Sequence, residues 1–81
     1  MKNFKVIELQ TFEENDAAIV QGYDDKGSAE GRYLTVREAA RQSAVPVHTV
    51  MLVDKLGNII EGKYYVHPVE PEPEDEGDAE Q

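Results

Sequence analysis

The alternation of apolar and polar residues predicts two strands at the start of the chain. Residues 4–12 (FKVIELQTF) place Phe4 and Val6 on one face and Ile7 and Leu9 on the other. This register change fits either a β-bulge or a strand buried on both faces. After a polar turn, residues 17–23 (AAIVQGY) predict an antiparallel partner strand. Residues 24–31 have the composition of a loop, and residues 32–34 suit a short further strand.

A helix is predicted immediately afterwards. Thr35 and Glu38 have the spacing of a capping box, in which each side chain accepts a hydrogen bond from the backbone amide of the other residue. Small residues then recur every three or four positions, so the predicted helix runs from about Val36 to Ala44 with one face of small side chains. It ends before Pro46, because proline disfavours the helical conformation in the residue that precedes it.

The chain after Pro46 is compatible with two structures. In the first, residues 47–53 form a strand, 55–58 form a turn, and 59–66 return as the second strand of a hairpin. In the second, Pro46 is the first residue of another helix, which ends at Gly57 and leaves 59–66 as a wing. We adopt the hairpin, because the β-branched residues of 47–53 and 59–60 suit a sheet better than the surface of a helix.

The hairpin interpretation gives an α+β domain of order ββαββ over residues 1–67, with one short helix packed on an antiparallel sheet. Its predicted core consists of Val6, Leu9, Ile19, Val20, Leu34, Val36, Ala40, Val50, Leu52, Ile60 and Tyr64. No helix covers the opposite sheet face, and apolar groups on such a face commonly mark a partner surface. The predicted partner-binding residues on that face are Tyr23, His48, Ile59 and Tyr65.

A family resemblance accompanies the second structure. Residues 33–53 contain Leu34-Thr35-Val36, then Glu38-Ala39-Ala40, and later Val45-Pro46 and Thr49-Val50. This pattern resembles the helix-turn-helix of MerR-type regulators and excisionases. The resemblance implies a winged helix-turn-helix that binds DNA as a transcriptional regulator. The nucleic-acid-binding residues that it implies are Arg37 and Arg41 on the first helix, His48, Thr49 and Lys55 on the recognition helix, and Lys63 on the wing.

Length and charge narrow the picture. The 81 residues have 40% hydrophobic content and no cysteine, which indicates one small domain without disulfides or thiolate metal sites. Of the 17 acids, seven lie in residues 67–81, where no base occurs; the other 66 residues therefore hold ten acids and all eight bases, a net charge of −2 out of the total of −9. Residues 68–81 alternate proline with acids and predict a disordered tail. Its predicted partner-binding residues are Glu72, Glu74, Asp75 and Glu76.

The residue pattern gives no support to enzymatic chemistry. His48 and His67 are the only histidines, and neither is predicted to lie beside a nucleophile or to converge with acids as a metal site requires. No glycine-rich phosphate loop precedes the helix. We therefore predict no catalytic, cofactor-binding or metal-binding residues and no small-molecule substrate. No apolar run is long enough for a membrane span, so the predicted location is the cytoplasm.

These observations predict a small, non-catalytic, acidic interaction protein, of the kind that phages and mobile elements use as accessory or inhibitor proteins. The expected partner is a protein with a basic surface. Nucleic acid is less favoured, because residues 30–66 hold five bases and four acids, whereas a typical DNA site engages about 6–10 phosphates. A winged-helix DNA-binding regulator remains the alternative, and the oligomeric state is open.

Overall fold

The computed structural model describes residues 2–68, which form four β-strands and one α-helix. The elements are β1 (Phe4–Thr11), β2 (Asp16–Tyr23), α1 (Lys26–Gln42), β3 (Val47–Asp54) and β4 (Ile59–Val66). The strands form one antiparallel sheet in the order β2-β1-β3-β4, and α1 connects the two hairpins. The predicted ββαββ architecture is confirmed, including a strand rather than a second helix after Pro46.

β1 pairs without interruption with both of its neighbours. The apolar residues on its two faces therefore do not mark a bulge. Val6 points towards α1 and is buried, whereas Ile7 points away from the helix. The irregularity of the sheet lies in the β3–β4 pairing instead, between Leu52 and Val53.

The helix begins well before its predicted start at Val36. Asp25 is the N-cap, and its carboxylate accepts hydrogen bonds from the backbone amide of Ser28 at 2.8 Å and from the Ser28 hydroxyl at 2.9 Å. Thr35 lies inside the helix and donates its hydroxyl to the carbonyl of Gly31 at 3.1 Å. The predicted capping box, the loop at 24–31 and the short strand at 32–34 were therefore wrong.

Tertiary burial explains the longer helix. Ala29, Tyr33, Val36 and Ala40 lie on one face of α1, and all four are buried against the sheet. Each glycine inside a helix costs about 1 kcal/mol relative to alanine, so the local sequence at Gly27 and Gly31 disfavours a helix. Burial of the large Tyr33 side chain outweighs that cost.

The core is smaller than predicted. It consists of Val6, Ala29, Tyr33, Val36, Ala40, Val50 and Leu52, with Phe4, Tyr23 and Tyr65 packed at its edge. The remaining predicted core residues are at least 36% exposed: Leu9, Ile19, Val20, Leu34, Ile60 and Tyr64. Leu9, Val20 and Tyr64 lie on the sheet face that α1 does not cover, whereas Ile19 lies on the helix side of the edge strand β2 and Leu34 lies on the exposed side of α1.

The turn predicted at 55–58 joins β3 to β4. Gly57 adopts a φ of +89°, which favours glycine. The Asp54 carboxylate accepts the backbone amides of Leu56 and Asn58, each at 2.9 Å. This turn therefore satisfies its own backbone donors.

The predicted tail, with its partner-binding acids Glu72, Glu74, Asp75 and Glu76, lies outside the described residues except for Pro68. Among residues 2–68, no helix has the length and apolar character needed to cross a membrane.

Candidate functional site

His48 joins β1, β3 and the C-terminal end of α1. Its side chain is almost fully buried. Its Nδ1 lies 2.8 Å from the Ser43 hydroxyl, and its Nε2 lies 2.5 Å from Glu8 Oε2. Gln10 donates from its side-chain amide to the same carboxylate oxygen at 3.0 Å. The fold therefore links Ser43, His48 and Glu8 in one chain of hydrogen bonds.

The contacts of Ser43 decide where the protons lie. The carbonyl of Ala40 can only accept, so its 3.1 Å contact with Ser43 Oγ uses the single hydroxyl proton. His48 Nδ1 therefore carries a hydrogen and donates to Ser43 Oγ, as does the backbone amide of Val45 at 3.3 Å. The other ring nitrogen, Nε2, makes its hydrogen bond to the Glu8 carboxyl.

His67 holds the same end of the helix. Its Nε2 donates to the carbonyl of Ala40 at 2.9 Å, and its backbone amide donates to the carbonyl of Pro46 at 2.8 Å. Its ring also stacks on Tyr65. Because the last carbonyls of a helix have no partner within the helix, these bonds fasten the end of β4 to α1.

Serine, histidine and glutamate are the residue types of a nucleophilic triad. Sequence reasoning placed no nucleophile beside either histidine and no acid converging on one, and this was wrong for His48. However, the Ser43 hydroxyl donates to a backbone carbonyl and accepts two N–H groups, so it has no free lone pair directed at a substrate. The arrangement serves to hold the helix end on the sheet.

A second feature is the sheet face that points away from α1, which we call the open face. Its residues lie in four rows across the sheet from β2 to β4. The rows are Gly22, Lys5, Val53 and Ile59; Val20, Ile7, Met51 and Gly62; Ala18, Leu9, Thr49 and Tyr64; and Asp16, Thr11, Val47 and Val66.

The open face is mostly apolar, and its exposure is uneven: Val53 in the first row is only 3% exposed, and Ile7, Met51 and Val47 are partly buried by their neighbours. Val20, Tyr64 and Val66 are 56%, 67% and 64% exposed. Among residues 2–68, the charged members of the four rows are Lys5 in the first and Asp16 in the fourth, and the Lys2 side chain lies against Gly22 at the end of the first row, so the two central rows carry no charge. No helix or strand formed by residues 2–68 covers this face, since α1 packs on the opposite one.

The structure separates the residues that were predicted to share the uncovered face. Ile59 does lie on the open face, in the first row. Tyr23, His48 and Tyr65 lie on the helix side of the sheet, where both tyrosines pack against the core. The shared-face prediction was therefore wrong for these three. The cause is register, because a change of one position in a strand moves a side chain to the opposite face.

The residues implied by the helix-turn-helix resemblance do not form one surface. Arg41 pairs with Glu38 at 2.6 Å, Arg37 lies over the Tyr33 ring, and Lys63 lies over the Tyr65 ring. The other three residues lie in β3 and in the β3–β4 turn. His48 is buried on the helix side of β3, Thr49 lies on the open face, and Lys55 lies in the turn.

Several exposed carboxylates are held by their own neighbours. Hydrogen bonds from Arg41 and then Gln42 lower the pKa of Glu38 to about 2. The backbone amide of Ser28 lowers the pKa of Asp25, and the backbone amide of Asn58 lowers that of Asp54. These charges stabilise the helix and the turn locally, and none of the three lies on the open face.

Sequence reasoning missed Glu8 and Ser43 in the buried chain and most of the open face. Glu8 is 40 positions from His48, so only the β1–β3 pairing brings them together. The open face had a visible signal, because the first strand carries apolar residues on both sides. Apolar residues on both sides are typical of a strand that is covered on both faces.

Comparisons with protein-family models, with curated proteins and with solved structures gave no match. The open face and the buried hydrogen-bond chain are therefore the observations that bear on function.

Proposed function

We propose that the protein is a small, non-catalytic interaction domain that binds a protein partner through its open face. The observation that carries this proposal is the set of exposed apolar residues in the two central rows, with no charged residue among them. Soluble monomers seldom expose a contiguous apolar patch larger than a few hundred Å2, and larger ones commonly mark interaction sites.

The face has the size of the largest apolar patch on a typical monomer, about 300–600 Å2, and such patches are often functional. Four strands about 4.8 Å apart and eight residues long, at about 3.4 Å per residue, span roughly 19 Å by 27 Å, or about 500 Å2. Removing this surface from water by binding a partner is favourable, at about 25 cal/mol per Å2 of apolar area. On the helix side, within residues 2–68, most of the apolar side chains pack on α1, and Ile19 at the β2 edge is the large one left 44% exposed.

The side chains that could take part in catalysis are engaged within the fold, which also supports a binding role. The side chains with acid, base or nucleophile chemistry, Ser43, His48 and Glu8, bond to one another and to the helix end. These three side chains do not line either of two open surface depressions on residues 2–68. One depression is lined by Asn3, Phe4, Asp54, Lys55 and Leu56. The other is lined by Leu9, Gln10, Thr11, Asp16, Ala17 and Ala18.

Photo-crosslinking in cells that express the protein tests the proposal. A benzophenone amino acid replaces Tyr64 or Val20 on the open face, and replaces Leu56 in the β3–β4 turn as the matched control. Leu56 is 78% exposed but lies off the open face. We expect a discrete protein adduct from the first two positions and none from the third. Absence of an adduct at both open-face positions would refute the proposal.

A further inference from the structure

We infer that the occupant of the open face is the open face of a second copy, in a two-fold symmetric dimer. This inference rests on the proposed function of that face and names its partner. The two-fold axis lies between the two sheets, runs across the strands, and passes between the second and third rows. It therefore places the second row of one copy over the third row of the other, and the first row over the fourth.

This axis matches large side chains with small ones. Tyr64 of one copy lies over Gly62 of the other, and Val20 lies over Ala18, because each pair occupies one strand in adjacent central rows. Cores pack well when large and small residues alternate across facing positions. Aligned sheets cross at about 30°, which shifts the outer strands β2 and β4 by roughly half a row, so Tyr64 and Val20 pack beside the small residues of the second copy rather than directly over them.

The same axis pairs the two charges of the face. Lys5 in the first row lies over Thr11 of the second copy. In that copy Thr11 pairs with Asp16 on the adjacent strand β2, so Lys5 also lies near Asp16. Symmetry repeats this contact at the other end. Neither Lys5 nor Asp16 forms a salt bridge within residues 2–68. An axis parallel to the strands would place Lys5 over Val53 and Asp16 over Val66 instead, so each charge would face an apolar side chain.

Area and charge favour a second copy over a basic partner. Two copies bury about 500 Å2 each, and the total of about 1,000 Å2 reaches the lower limit for a specific interface, as befits a weak dimer. A two-fold interface brings a patch against itself, which the uncharged central rows allow without like-charge contact. Within residues 2–68, a basic surface would meet a single carboxylate on this face, that of Asp16.

Sedimentation equilibrium of the full chain tests the dimer. We expect a mass of twice 9.1 kDa at roughly 100 µM protein. Tyr64→Glu and Val20→Glu each bury a carboxylate in the interface and should raise the dissociation constant at least about tenfold. Leu56→Glu adds the same charge off the face and should leave the mass unchanged. Circular dichroism establishes that each variant is folded, which these exposed positions favour.

A charge exchange tests the axis. Lys5→Glu places a carboxylate against Asp16 of the second copy at both ends and should weaken the dimer roughly fivefold or more at low salt. Adding Asp16→Lys to Lys5→Glu restores opposite charges and should return the dissociation constant to within about twofold of the wild type. If the double exchange weakens the dimer further than the single one, the proposed axis is wrong.

The outcomes separate the dimer from the wider proposal. A monomer at that concentration, or a dimer unaffected by both Tyr64→Glu and Val20→Glu, overturns the inference. If crosslinks from Tyr64 and Val20 then join the chain to a different protein, the open face is still a binding surface and the proposed function stands. If neither a second copy nor another protein is captured, both fail.

Discussion

Removing Glu8 from beside His48 should destabilise the fold, and removing both should restore it. In Glu8→Leu, His48 Nε2 loses the partner that lies 2.5 Å away and stays buried. A buried polar atom left without a partner costs about 1–3 kcal/mol. We expect a loss of about 2 kcal/mol in the free energy of unfolding, which lowers Tm by about 8–16 °C in a domain of this size.

Replacing both residues removes the unmet hydrogen bond as well as the polar pair. In Glu8→Leu/His48→Leu, Ser43 Oγ still donates to Ala40 and accepts from Val45. Apolar replacement of both members of a buried pair is often close to neutral. The double variant should therefore lie within about 1 kcal/mol of the wild type, which is less than the sum of the losses in Glu8→Leu and His48→Leu alone.

Urea unfolding followed by circular dichroism measures these differences. Glu8→Gln is the matched control, because its side-chain amide keeps the length of glutamate and can donate to Nε2 of the neutral ring. It should be closer to the wild type than Glu8→Leu. Additive losses in the single and double leucine variants, or an unchanged Glu8→Leu, would show that the Glu8–His48 contact does not support the fold.

Three further predictions concern the helix and the turn. Asp25→Ala removes the N-cap and should lower Tm by a few degrees in thermal unfolding, whereas Asp24→Ala next to it should not. The pKa of Glu38 is lowered to about 2 in the folded protein, so its stabilising effect is present above its ordinary value of 4.5 and is lost as pH falls towards 2. Glu38→Gln should therefore reduce the loss of stability over that acid range, as followed by urea titrations at several pH values, and an unchanged profile would contradict this. Gly57→Ala should destabilise by about 1 kcal/mol because φ is +89°, whereas Gly31→Ala should stabilise by about 0.5–1 kcal/mol because the position is helical and open.

The hairpin after Pro46 shows how local sequence can decide between two structures. The segment matched a helix-turn-helix pattern in its spacing, but its β-branched residues favoured a strand. The structure forms β3 there. Membership of a helix-turn-helix family remains a prediction that the comparisons neither support nor oppose.

The helix start shows the opposite case. The composition of the segment that contains Gly27, Gly31 and the preceding acids predicted a loop. The spacing of Thr35 and Glu38 predicted a helix cap after it. The helix nevertheless begins at Lys26, because Tyr33 and Ala29 gain burial against the sheet only if this stretch is helical. Capping and composition are local signals, and they were outweighed by contacts with distant strands.

Pattern and composition alone determined the ββαββ order, the antiparallel sheet and the concentration of negative charge in residues 67–81, because periodicity, turn residues and charge are properties of neighbouring positions. The tertiary structure decided which apolar residues the helix covers and which it leaves on the open face. It also decided that Glu8 meets His48 across 40 positions. Both depend on strand register, which is set when the whole sheet packs against the helix and which no short stretch of sequence contains.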